Sequence, residues 1–418
     1  MKNIPKIEIL AVGTEFLSST GRETDSLFIC SRLEEFGLPV SFKSTVGDNQ
    51  ENLIRALSHA ISRADILIIT GGLGPTRDDL TIEACSYALR RKLFLRDDIL
   101  QKIEQRFQKR LLKMPEVNKK QAFILEGAEV LENHQGTAPG QWLEYKGKII
   151  VLLPGPPQEL KPMFDSKVFP RLKKLFSTFS SFKLFRLTGI SESQVEEIIQ
   201  DLSIPENLNL TTLASPGQIE IRISSYSQNN CLESQKHIQQ ASQWLKTRLQ
   251  HFIFTEEEEN LEEVVGKLLT PNKKTVAVAE SCTGGLLGHR LTNVPGSSTY
   301  FLGGVVAYSN ETKIELLNLN PSLIESLGAV SSQVAEAMAI EIRVKFRASY
   351  GLSITGIAGP GGGTRQKPVG LVYTALADEN KTEIVENRFN GQRESIKFQS
   401  SQKSLEMLWR RLKREKKL

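Results

Sequence analysis

An α/β protein of three units is predicted here, on three observations. At roughly 150 residues per domain, a chain of 418 residues divides into about three. Continuous apolar runs alternate with helical patterns in the first and last thirds, as in sheets covered by helices. Glycine- and proline-rich stretches follow directly on those runs, where open α/β sheets bind their ligands. The composition, 39% hydrophobic and 24% charged, is that of a folded chain and excludes wholesale disorder.

The elements follow in order. Ile7–Val12 (IEILAV) reads as a buried strand, and 25–36 has the apolar spacing of a helix. Ile66–Ile69 is a second strand running into TGGLGPT. Helical patterns follow near 80–91 and 97–111, and Ile149–Leu153 is a strand that stops at PGPP. These strands predict a parallel sheet in a unit covering 1–172. The stretch 176–254 differs in texture. KLFRLTG (183–189) is a strand candidate, and Ser191 with Gln194 makes a capping box ahead of a helix. IEIRIS (219–224) alternates as a half-exposed strand does, and 231–250 is helical, so this is a small α+β unit. The acidic run Glu256–Glu259 reads as a linker. The third unit, 260–418, has strands at TVAVAE (275–280), GGVVAYS (303–309), GLSIT (351–355) and VGLVYTAL (369–376), with helices between them.

Charge is less informative than its total suggests. The net +5 resides entirely in residues 403–418, which hold seven Lys or Arg and two Asp or Glu. The remaining 402 residues balance at 46 basic and 46 acidic groups, which excludes a polyanion-binding body on charge grounds. Leu405, Leu408, Trp409 and Leu412 form an apolar stripe beside this basic face. The tail is therefore expected to be a helix docked on the last unit, with solvated Lys and Arg and frayed final residues. The four cysteines (Cys30, Cys85, Cys231, Cys282) are widely spaced, with neither a zinc pattern nor a disulfide framework. No signal-peptide-like stretch opens the chain, and no apolar run reaches the roughly 18 residues that span a membrane. A cytoplasmic protein is expected, without a membrane partner.

Several loops carry candidate chemistry. In TGGLGPTRDDLT (70–81), Gly71, Gly72, Gly74 and Thr76 lie between a strand and a helix, where amides can meet a phosphate. Asp78 and Asp79 could hold a divalent metal on a pyrophosphate, or cap the helix. GTAPG (136–140) and LPGPP (153–157) are rigid loops that turn-making explains equally well. AESCTGG (279–285) sets Ser281, Cys282, Thr283 and Gly284 at a second strand-to-helix junction, where the residues read as helix caps and a small core cysteine more simply than as a nucleophile. The segment 294–313 holds Ser297, Ser298, Tyr308 and Lys313 with no histidine. A serine with a lysine base is chemically possible there, although a turn serine and a solvated lysine are the simpler account. TGIAGPGGG (355–363), with five glycines in nine residues, suits backbone recognition of phosphate or ribose, or a surface loop.

Taken together, these strings resemble the CinA (competence/damage-inducible) family over essentially the whole chain. AVGTE, VGDN, TGGLGPTRDDLT, GTAPG and LPGPPQEL are similar to its molybdopterin-binding-like N-terminal domain, and AESCTGG, PGSS, VVAYSNETK, TGIAGPGGG and KPVG to its amidase domain. The resemblance implies a three-layer N-terminal domain, a homodimer, and two activities on small nucleotides. The first is deamidation of nicotinamide mononucleotide to nicotinate mononucleotide and ammonia, with Ser298, Tyr308 and Lys313 catalytic and no cofactor. Ser281, Thr283, Gly284, Thr355, Gly356, Gly359, Gly361 and Arg393 would contact that substrate, Arg393 its phosphate. The second is hydrolysis of ADP-ribose to AMP and ribose 5-phosphate, with Mg, Mn or Co held by Asp48, Asp79, Asp78 and Glu15. Two departures stand out: Asp25 occupies a position where the family has Asn, and Gln392 precedes Arg393 where Asp is common. The alternatives are an N-terminal domain that binds a molybdopterin-like ligand without hydrolysis, and a non-catalytic adaptor in competence or DNA repair. The near-neutral body makes nucleic acid an unfavoured partner.

Overall fold

The structure is a computed structural model that describes all residues except 1–4, 20, 177–178, 203–204, 206–207, 228–230 and 416–418. The chain packs as two compact units, one comprising 1–181 with 224–238 and the other 182–223 with 239–418. It is a mixed α/β protein.

The N-terminal unit is built on a six-stranded sheet. In spatial order its strands are Val40–Val46, Ile7–Val12, Ile66–Thr70, Lys148–Leu153, Gly140–Tyr145 and Glu129–Leu131. The first four are parallel. Ile7–Val12 and Ile66–Thr70 are buried along their whole length, which is why they read as largely apolar runs; the one charge, Glu8, is held by Arg63 and Ser44. The edge strand Val40–Val46 alternates between half-buried and exposed positions, as an edge should. The expected all-parallel sheet is extended here by an antiparallel flank. Lys146 and Gly147 both take positive φ (48° and 77°) and make a two-residue hairpin between Gly140–Tyr145 and Lys148–Leu153. Helices cover both faces: Gln50–Arg63 and Thr81–Leu89 pack over a core including Leu53, Leu57, Ile69 and Ile82, while Asp25–Glu35 and Pro157–Met163 close the other with Ile29, Leu33, Leu160 and Phe164.

Two further sheets follow in the chain. The smaller has strands Leu208–Ser215, Gln218–Ser227, Phe179–Thr188 and Ile253–Thr255 in that order, with the helices Glu192–Ile199 and Cys231–Leu249. The predicted capping box forms, Ser191 and Gln194 satisfying each other's backbone amides. Glu256, in the segment read as a linker, is pinned by Lys183 (2.9 Å) and Lys246 (2.8 Å), and Glu259 pairs with Lys267.

The larger sheet orders Phe301–Val306, Val276–Glu280, Tyr350–Gly356, Leu371–Ala377 and Thr382–Arg388. Its first three strands are parallel and its last two antiparallel. Helix Ser332–Phe346 covers one face and Arg393–Glu415 the other. The C-terminal helix docks through Leu405, Leu408, Trp409 and Leu412, as its apolar stripe predicts. Its charges are less solvated than expected. Arg411 is buried between Asp378 and Glu383, while Lys403 and Arg410 converge on the buried Glu406. The final residues 416–418, expected to fray, lie outside the described residues.

Candidate functional site

Both large sheets share one topological device. In each, the chain leaves a central strand for the neighbour on one side, then returns to pair on the other side of that strand. The loops leaving the central strand and its second neighbour diverge there, and a crevice opens at the carboxyl ends of the strands. In the C-terminal sheet the central strand is Val276–Glu280, and its loop begins at Ser281.

Lys313 is the most heavily built side chain at that point. It lies in the first turn of helix Asn310–Leu317, capped by Ser309. Helical side chains lean toward the helix N-terminus, and this one reaches back over its own turn. Its Nζ donates to the carbonyls of Ala307 (2.8 Å), Tyr308 (3.2 Å) and Ser309 (3.4 Å), and lies 3.1 Å from Ser281 Oγ. The side chain is 1% exposed, and burial lowers its pKa from the usual 10.5. A neutral amine can donate to the carbonyls and accept the Ser281 hydroxyl proton, which is the arrangement of a base beside a nucleophile. The solvated lysine that the sequence alone favoured is thus replaced by a buried one.

The turn after Ser281 is partly occupied by the chain itself. Glu280, buried at the strand end, accepts hydrogen bonds from the amides of Gly285 (3.1 Å), Leu287 (3.0 Å) and Gly288 (2.8 Å). The N-terminus of helix Leu286–Thr292 therefore already carries its anion. Cys282 is buried, and that burial pushes its thiol up to about 12, a core thiol rather than a nucleophile. Thr283 is fully buried with its hydroxyl unpartnered.

The remaining candidates divide. Tyr308 is exposed, and its hydroxyl accepts from Arg393 Nη2 at 2.9 Å, while Arg393 Nη1 donates to the Gly359 carbonyl at 2.6 Å. Arg393 thus ties the glycine-rich loop to the tyrosine. Thr355 is buried with its hydroxyl on the Ala329 carbonyl (2.8 Å), a structural bond, and Gly356 ends its strand. Gly361 faces open space. Ser298 sits exposed on the short turn Ser297–Thr299 and is not among the hydrogen-bond partners of Lys313. Among the described residues, the side chain that meets the lysine is Ser281, which the sequence assigned to substrate contact. Lys397, one turn beyond Arg393, was not singled out, although the four-residue spacing on one helix face is a legible signal.

The N-terminal sheet repeats the device. Loops leaving Val12, Thr70 and Leu153, together with Asp48 and the GTAPG loop, line one cleft of about 650 Å³. Gly71, Gly72, Gly74, Thr76, Glu15, Asp48, Asp78 and Asp79 all face it, so the scattered motifs converge as one site. Six carboxylates (Glu15, Asp25, Asp48, Asp78, Asp79, Glu159) line it with Arg22, while Lys120 bonds the Asp79 carbonyl and Lys161 acts on Asp25. The four expected metal ligands do not form a closed cage. Among the described residues no three His, Cys, Asp or Glu gather as a metal site. Asp79 turns back on its own loop, accepting from the Thr76 amide (2.8 Å) and hydroxyl (2.6 Å), and Asp48 accepts from the Thr14 amide (2.7 Å). Those bonds engage one oxygen of each, and the acidic lining suits a divalent ion whose shell is completed by phosphate oxygens. The departure at Asp25 is now visible in space. This residue is 5% exposed, its Oδ1 has no partner, and burial, helped by Glu23 and opposed by Lys161, raises its carboxyl from 3.8 to about 6.

Fold and sites define a chain of two α/β switch-point modules, one acidic cleft and one buried lysine–serine pair, with a small α+β sheet between them in sequence. The chain matches the probable molybdopterin binding domain over residues 8–174, the damage-inducible protein CinA KH domain over 182–255 and the CinA C-terminal domain over 258–412. A CinA-like protein of Dictyoglomus thermophilum is 44% identical over 408 residues, covering 97% of this chain and 99% of the relative. One from Solibacter usitatus is 43% identical over 407 residues, covering 97% and 98%. The crystal structure of a competence/damage inducible protein from Agrobacterium tumefaciens is 36% identical over 37% of this chain and 97% of that one, with a TM-score of 0.35. The chain belongs to the CinA family.

Proposed function

We propose that the C-terminal site is an amidase that releases ammonia from the carboxamide of nicotinamide mononucleotide. The observation that carries this reading is the 3.1 Å approach of the buried Lys313 Nζ to Ser281 Oγ. In this mechanism Ser281 Oγ attacks the carboxamide carbon as its proton passes to Lys313. Lys313 returns that proton to the departing nitrogen, which leaves as ammonia, and an ester to Ser281 remains. Lys313 then takes a proton from water as the water attacks the ester, and returns it to Ser281 as the carboxylate leaves. Tyr308, held by Arg393, would orient the ring. This assigns to Ser281 the role that family resemblance gives to Ser298. Ser281→Ala and Lys313→Met are expected to lower ammonia release by about 10³-fold or more, and Ser298→Ala to leave most of it. Full turnover by Ser281→Ala would refute the assignment.

A second reading is favoured for the N-terminal cleft by the convergence of its loops: hydrolysis of ADP-ribose to AMP and ribose 5-phosphate. Asp48 and Asp79 would hold the divalent ion, with Glu15 and Asp78 beside them. When bound, the ion supplies charge neutralisation on the pyrophosphate. Backbone amides of the 70–76 loop would orient the phosphates. AMP production by the full chain with Mg²⁺, Mn²⁺ or Co²⁺ tests this; pterin binding without turnover would refute it.

A further inference from the structure

The amidase reading leaves one question about its substrate: which group meets the phosphate. Three features near the Ser281–Gly285 turn could do so, and the structure separates them. The amides at the start of helix Leu286–Thr292 are taken by Glu280. Arg393 spends one N–H of each Nη, on the Gly359 carbonyl and on the Tyr308 hydroxyl, and so is already tied to two parts of the protein. Substituting a phosphate for either partner would release the glycine loop or the tyrosine. Lys397 is different. It lies four residues after Arg393 on the same helix, is half-buried, and has neither an acid nor a hydrogen-bond partner among the described residues. Its Nζ stands 3.9 Å from the point where a β-carbon on Gly284 would sit. Gly284 holds φ at +62° and bears no side chain, so the turn leaves a gap under the ammonium that a ligand atom can fill.

We infer that Lys397 is the cation that reads the substrate phosphate, seated over Gly284, and that Arg393 is a positioning residue acting through Tyr308 and Gly359. This rests on the amidase reading and deepens it. A lysine ammonium is a compact point charge suited to a phosphate approached from one side. An arginine that already ties two neutral acceptors, one through each Nη, acts as a brace. The two residues should then fail differently. Losing Lys397 removes affinity for the phosphate-bearing substrate alone. Losing Arg393 disorders the tyrosine and the loop, which serve any substrate.

The test uses the full-length protein with nicotinamide mononucleotide and with nicotinamide riboside, the same molecule without its phosphate. Lys397→Met should lower the ratio of kcat/KM for the nucleotide over the riboside about tenfold, through KM, and Lys397→Arg should restore it. Arg393→Met should lower kcat on both substrates by a similar factor. An unchanged ratio in Lys397→Met, or a changed ratio in Arg393→Met with intact riboside turnover, would overturn the assignment. Calorimetric binding of the nucleotide and of inorganic phosphate is measured alongside. If the native protein releases ammonia from neither compound, the amidase reading falls. Lys397 is then judged on binding alone: loss of nucleotide binding in Lys397→Met supports the seat, and equal or absent binding in both proteins refutes it.

Discussion

Replacing Asp25 by Asn should make the N-terminal unit more stable at neutral pH and not at acid pH. Asp25 opens helix Asp25–Glu35, is buried against the cleft, and carries an unpartnered Oδ1. Burial and the neighbouring Glu23 raise its carboxyl from 3.8 to about 6, against the pull of Lys161. In the folded chain, then, the neutral acid is favoured up to about pH 6, and above that the charge is carried at a cost. Between those two values the native state holds a proton that the unfolded chain has released, so stability falls as pH rises through this window. At 1.36 kcal/mol per pH unit, the interval corresponds to up to about 3 kcal/mol lost by neutral pH. Asn has nearly the same shape and no charge, so it should recover about 1–3 kcal/mol at pH 7.5 and nothing below pH 4. For a unit of this size that is a rise of roughly 3–10 °C in the midpoint of its transition. Scanning calorimetry at pH 4, 5.5 and 7.5 resolves the transitions of the two units and checks it. A variant destabilised at pH 7.5, or a difference that does not vary with pH, would refute the assignment of a buried, unpaired carboxyl.

Other outcomes follow from the same geometry. Because burial lowers the pKa of Lys313, the rising limb of kcat/KM for ammonia release should fall below pH 10.5, and in Lys313→Arg it should vanish with the activity. Cys282→Ser should keep its amidase turnover within about twofold, and the native thiol should resist iodoacetamide at pH 7.5, since its burial pushes it up to about 12; rapid labelling with loss of activity would count against a core role. Chelation by EDTA should abolish AMP release from ADP-ribose while leaving ammonia release intact, and equal sensitivity of the two would contradict separate sites of opposite charge.

How much of this could be read from residues alone depends on what each feature requires. Ile7–Val12 and Ile66–Thr70 were legible because strands buried on both faces are apolar nearly throughout, Glu8 being tolerated through its pairing with Arg63. Thr382–Arg388 (TEIVENR) was not, since an edge strand can carry charge on its open side and then looks like a loop. The stripe on the C-terminal helix announced its docking, whereas nothing in a run of basic residues reveals that Arg411 is buried between two acids. At the amidase site the motifs were legible but their pairing was not. Ser281 and Lys313 are 32 residues apart, and they meet because Val276–Glu280 and Phe301–Val306 are parallel neighbours whose carboxyl ends coincide. Ser298, closer to Lys313 in sequence, belongs to the turn at the opposite end of that neighbouring strand. Glu280 looks like a site carboxylate in the string AESCTGG, and only the folded turn shows it spent on three amides.

The two switch points solve the same backbone problem with opposite charge. Around Ser281–Gly285 the cations are Arg393 and Lys397, with Lys313 serving as the neutral base, and Glu280 is held by three backbone amides. A nucleotide phosphate can enter there unaided. In the N-terminal cleft six carboxylates outnumber the nearby cations Arg22, Lys120 and Lys161. A phosphate about 6 Å from a single carboxylate is opposed by about 3 kcal/mol at an effective dielectric near 20, and several such terms exceed what loop amides return. A pyrophosphate can be held in that cleft with a divalent cation in company, while a neutral or hydroxyl-rich ligand needs none. Asp25 sharpens the contrast, since it adds a buried acid to the cleft. The +5 of the whole chain describes neither site, because it resides in residues 403–418, where Arg410 and Arg411 pair with acids in packed contacts.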